Sequence, residues 1–149
     1  MQIQVIKVRD SLTPSVRRRL NRWRDPKPVL AAMGAVVVSL AMRAFTDASL
    51  RPSSWAPLSP RTIRGRLKDN RGTAPLQRTG LLARSPRVTT LTSHSVIVGS
   101  DRAYAGYQQL GTSRIPARPF FPFDRSGRPT PRARALMMFA ADRAIGLRD

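Results

Sequence analysis

The sequence has no cysteine and no glutamate, a single histidine, and only three lysines among its many cations. The first absence removes disulfides, thiolate metal sites and cysteine nucleophiles together. The one histidine, His94, stands between Ser93 and Ser95. No acid has the spacing to orient it, so it reads as a surface histidine in a turn and not as the base of a triad. All eight acids are aspartates, scattered singly along the chain. That pattern offers neither a ligand cluster for zinc or calcium nor the paired carboxylates of two-metal chemistry. A phosphate-cradling Gly-x-x-x-x-Gly-Lys run and a dinucleotide fingerprint are missing as well. The chain is therefore expected not to be an enzyme and to use no metal or cofactor.

Long apolar runs are also lacking. The longest, Val29 to Met42, is interrupted by Ser39, and it falls short of the roughly 20 residues that span a bilayer. The first residues contain no apolar leader segment. A soluble protein made in the cytoplasm, with no membrane partner, is the expectation.

What the chain has in excess is arginine. Of its 27 cationic residues three are lysines, at positions 7, 27 and 68, so 24 are arginines, and against eight acids the net charge is +19 with a pI near 12.0. Such an imbalance predicts affinity for a polyanion, DNA or another acidic surface, and self-repulsion until that partner arrives. A GC-rich genome would by itself favour arginine over lysine, yet it accounts neither for the missing glutamates nor for the net charge. With no sequence-reading motif in the chain, any DNA contact is expected at phosphates, without base readout.

The 149 residues suit a single domain, 1–149. Thirteen prolines and nine glycines imply extended connections, expected here over 49–78 and 111–130. Residues 2–9 alternate as a strand with one wet face. Thr13-Pro14, Ser59-Pro60 and Thr130-Pro131 each read as a helix start, a capping hydroxyl followed by a proline at the first helical position, and a fourth start lies near Asp25-Pro26. The first helix, 14–24, places Val16, Leu20 and Trp23 on one stripe and surrounds them with Arg17, Arg18, Arg19 and Arg22. These arginines face either an anionic partner or solvent. Residues 27–48 read as a long central helix, apolar nearly all round and hence buried, with small residues such as Gly34 admitting a neighbour. A short basic helix over 60–68 carries Arg61, Arg64, Arg66 and Lys68. Composition predicts a 69–75 segment that is mobile or ordered by a partner, a turn over 79–85, and a hairpin of strands 87–91 and 95–99. A two-turn helix over 103–110 lines up Tyr104, Tyr107 and Leu110 and is stopped by Gly111 in the left-handed region. The last helix runs from about 131 to 146. Between them, Pro116, Pro119 and Pro122 alternate with Phe120, Phe121 and Phe123, a braced aromatic strip that needs burial against the core or in a groove of the next subunit. The fold class is α+β: a small antiparallel sheet flanked by the long central helix and the C-terminal helix, with extended arms.

One ordered string ties these parts together: Trp55, Pro57-Leu58-Ser59, Thr62, Thr79-Gly80-x-Leu82-x-x-Ser85, Val98-Gly99, Tyr104-Ala105 with Gln108 or Gln109, Gly111, and Pro116-Ala117-Arg118-Pro119-Phe120. It resembles the phage virion morphogenesis family, the tail-completion and head-tail joining proteins of long-tailed bacteriophages. The resemblance covers roughly residues 50 to 121. It implies a structural virion protein at the head-tail junction, or neck: a cyclic homo-oligomer, six-fold in expectation, that completes or terminates the tail and meets other neck, connector and tail proteins. Double-stranded DNA would pass through its lumen. In that setting Arg17, Arg18, Arg19, Arg22, Arg61, Arg64, Arg66 and Lys68 are candidates for DNA or an acidic partner. Tyr104, Tyr107, Gly111, Arg118, Pro119, Phe120, Phe121 and Phe123 are candidates for the subunit interface. The competing expectation is a monomeric, sequence-nonspecific nucleic-acid-binding module in which the charge is the whole story and the aromatic strip is core.

Overall fold

Two helices begin where a hydroxyl residue precedes a proline, and the computed structural model, which describes residues 24–147, shows how each start is built. Ser59 and Thr130 accept hydrogen bonds from the backbone N–H groups of Thr62 and Ala133, three residues on. The intervening prolines occupy the position whose N–H would be orphaned in any case. They open α2 (Pro60–Lys68) and α4 (Pro131–Ala144). The earlier helix α1 (Lys27–Arg43) follows Pro26 and has no side-chain cap of this kind. The expected strand 2–9 and basic helix 14–24, with Arg17, Arg18, Arg19 and Arg22, lie outside the described residues.

α1 is shorter than its apolar pattern predicts. It stops at Arg43, not near residue 48, because Asp47 accepts from both the N–H and the hydroxyl of Ser49 and draws the backbone into a separate 3₁₀ turn, Ala48–Leu50. Nor is it buried all round. Gly34, Val37, Leu40 and Ala41 form one inward stripe, while Ala35, Ser39 and Met42 are exposed.

That stripe organises the rest. The sheet is one antiparallel hairpin, β1 (Pro86–Leu91) and β2 (Val96–Ser100), with Val88 opposite Val98 and Thr90 opposite Ile97. Thr89 is the extra residue of a bulge between those pairs. Both strands lie against α1 at Gly34, where a Cβ would come within 2.7 Å of Val96 Cγ2 and 3.1 Å of Val88 Cγ2. The small-residue stretch thus admits side chains of the hairpin. α4 packs mainly on α1, not on the sheet. α3 (Ala105–Leu110) is the two-turn helix, ended by Gly111 at φ 76°, ψ 176°. This φ is positive, as expected of a glycine stop, but the ψ puts it outside the left-handed helical basin. The core joins Leu40, Ala41, Ala44 and Phe45 to Leu50, Trp55, Leu82, Ala105, Phe120 and Ala133. The fold is therefore mixed helix and strand, as expected, with one helix as its hub.

Candidate functional site

The proline-braced strip 116–123 is held by side chains far away in sequence. Trp55 Nε1 donates to Pro119 O at 2.8 Å. Arg118 reaches the same connecting segment, its Nε donating to Ala56 O at 2.9 Å and its Nη2 to Pro57 O at 3.1 Å. Gln109 Oε1 accepts from the N–H groups of both Phe120 and Phe121, at 2.9 and 3.0 Å. The strip's prolines lack the N–H that a ladder needs; Trp55 and Gln109 pair its backbone, together with the main-chain bonds Arg118 N to Gln108 O and Thr130 N to Pro122 O and a lone bridge between Phe123 and Pro129. The rings follow: Phe45 stands edge-on to Trp55 at 5.6 Å, and Phe120 lies 5.3 Å from Phe45 and 4.8 Å from Phe121.

Arg51 closes the other side of this cluster. Its guanidinium carbon sits 3.9 Å from the centre of the Trp55 ring, and its nitrogens donate to Ala44 O and Phe45 O just past the end of α1. There the cation meets both a ring face and the negative end of the helix dipole. Gln77 Nε2 supplies a second donor to Phe45 O at 2.6 Å.

Beyond Arg118 lies a cavity of about 540 Å³. Arg66, Arg71, Arg78 and Arg118 line it, with Leu58, Leu76 and Leu82 on its apolar walls. Thr79, Tyr104 and Gln108 complete it. Of the four arginines two are partly committed. Arg66 Nη1 donates to Gly72 O and Ala74 O, which ties back the 69–75 segment expected to be mobile. Its Nε is buried without a hydrogen-bond partner, as is Gln108 Oε1. Arg118, nearly enclosed, has its pKa pushed down from the ordinary arginine value, first by burial and then by the like charge of Arg66. Arg71 and Arg78 are exposed, and Arg78 has only a 4.0 Å pairing with exposed Asp69.

The expected site residues separate accordingly. Arg61, Arg64 and Lys68 are exposed on α2, spaced as one outward helical face, but Arg66 turns inward to the cavity. Of the interface candidates, Tyr104 and Tyr107 are exposed, and with Leu110, 75% exposed, they form an apolar row along α3. Phe120 is a correction: it is fully buried in its own chain and has no surface for a neighbour. Arg118, 8% exposed, is likewise spent on its own backbone. Pro119, Phe121 and Phe123 are half-buried. Gly111 shapes the strip from within, since a Cβ there would meet Ala117 N at 2.8 Å and Ile115 O at 3.0 Å. Arg51, Arg71, Arg78 and Gln77 had no motif or periodicity to mark them; only the long-range packing assigns their roles.

Among the described residues no group of three or more histidine or acidic side chains is placed to hold a metal, and no helix is long and apolar enough to cross a membrane. Residues 4–134 match the family model described as the phage virion morphogenesis family. No curated protein and no solved structure matches the chain.

Proposed function

Because the chain belongs to the phage virion morphogenesis family and serves in building the phage particle, we propose that it is a structural, non-enzymatic subunit of a closed, six-fold ring at the head-tail junction. There it completes the tail and passes the genome. The observation that carries this reading is the apolar row Tyr104, Tyr107 and Leu110, left exposed on a subunit whose core is already closed. A ring interface is heterologous, so each subunit needs a projecting element and a receiving groove. The row supplies the first. A groove of about 970 Å³, lined by Pro52, Ala56, Ile115, Pro119 and Phe123 and by Leu110 at the end of the row, is suited to be the second.

The outward face of α2, Arg61, Arg64 and Lys68, is the described surface best suited to DNA phosphates in the lumen, since those side chains have no acidic partner among the described residues. Light scattering and negative-stain images of the purified chain test the assembly, with rings expected as concentration rises. Gold labelling of intact particles tests the location, with label expected where tail meets head. A protein that stays monomeric at every concentration and on isolated tails, while binding duplex with a steep salt dependence, would instead support the nucleic-acid-binding module.

A further inference from the structure

The cavity beside Arg118 is built for a ligand of particular chemistry. Four guanidinium groups surround it and, among the described residues, no carboxylate lines it. Crowding of like charge at that density costs free energy unless an anion offsets it. Arg66 Nε is buried with no acceptor, and Gln108 Oε1 is buried with no donor. Both atoms lie beneath the cavity wall, out of reach of a bound group, so the occupant is chosen by the exposed arginines and the apolar walls. The walls of Leu58, Leu76 and Leu82 are wasted on phosphate and suit the carbon stems of side chains.

We propose that this cavity receives an acidic peptide segment of a protein partner, its carboxylates held by the exposed Arg71 and Arg78 in the field of the enclosed Arg66 and Arg118. The segment comes from another protein, because this chain carries eight aspartates and no glutamate against 27 cations. The inference deepens the reading of the chain as a junction subunit by giving one partner its chemistry. It stands apart from ring formation, which is measured by a different assay.

The test titrates the purified full chain with a blocked oligo-glutamate peptide, using an oligo-glutamine peptide of equal length, inorganic phosphate and a short duplex as comparisons, followed by calorimetry. The double variant R71A/R78A, altered at two exposed positions, is expected to weaken oligo-glutamate binding at least about tenfold with an unchanged melting temperature. The variant R61A/R64A, on the outer face of α2, is expected to leave it within about twofold. Equal losses in the two variants would reduce the effect to net charge and overturn the proposal. So would phosphate or duplex binding that depends on Arg71 and Arg78 while oligo-glutamate does not bind. Failure to form rings with oligo-glutamate binding intact would count against the ring alone.

Discussion

Trp55 makes one hydrogen bond that no other side chain of its shape replaces. Trp55→Phe keeps most of the packing against Phe45 but leaves Pro119 O without its donor. A buried acceptor stranded in this way costs about 1–3 kcal/mol, which denaturant melts should register as a lowered midpoint with an unchanged slope. The carboxylates of Asp47 and Asp124 act at the same scale. Side-chain hydrogen bonds from Ser49 and Ser126 lead the causes that lower their pKa below the ordinary 3.8. Since the folded value is the depressed one, each contributes stability that is complete above that ordinary value and is lost as pH falls through the folded value. Carboxyl titration by NMR should place both groups below the ordinary aspartate value, and Asp124→Asn should flatten part of the acid limb of the stability curve. Neither tie was legible as an energetic feature in the sequence, although Asp47-x-Ser49 and Asp124-x-Ser126 are the spacing at which an aspartate bonds a following hydroxyl and N–H.

The strip 116–123 and the packing of α1 on the hairpin are matters of elements. Phe120→Ala removes a fully buried ring from between Phe45 and Phe121. The expected loss is about 3–5 kcal/mol, read as a large drop in melting temperature of the monomer; a folded monomer that merely fails to assemble would show that the ring packs between subunits. Gly111→Ala combines a positive φ with a backbone clash at 2.8 Å, so it should also destabilise, by about 1–3 kcal/mol, and thermal melts would show it. Local chemistry made the element boundaries readable where proline and a hydroxyl meet, as at Ser59-Pro60 and Thr130-Pro131. It misjudged the end of α1 because an apolar run continues past Arg43, while Asp47 and the bond from Arg51 to Ala44 O favour termination.

At the scale of the whole molecule, the exposed apolar row of α3 and the exposed cations of α2 are the two surfaces open to a partner. Tyr107→Asp with Leu110→Asp should give a folded protein with unchanged helix content and no ring, because both side chains are already in solvent in the subunit. Circular dichroism and light scattering together check this, and rings that persist in the double variant would move the interface elsewhere. Neutralising Arg61, Arg64 and Lys68 should make the plot of log affinity for duplex against log salt shallower, by about 0.9 in slope for each phosphate that the protein no longer neutralises. α4 adds further apolar exposure at Leu136 and Met138.

The sequence by itself determined where helices α2 and α4 start, where the hairpin lies and which family the chain belongs to, because caps, prolines and ordered motifs act locally or are read in order. It also determined the excess of positive charge, since charge balance is a property of composition. Only the tertiary structure decided which arginines stay exposed. Arg51 and Arg118 are drawn in to satisfy backbone carbonyls of segments that cannot pair in ladders, Arg66 is partly so, and Arg61, Arg64, Arg71 and Arg78 remain outward. It likewise placed Phe120 in the core, because that ring finds Phe45 and Phe121 within its own chain, while Pro119 and Phe123 of the same strip stay half-buried beside a groove.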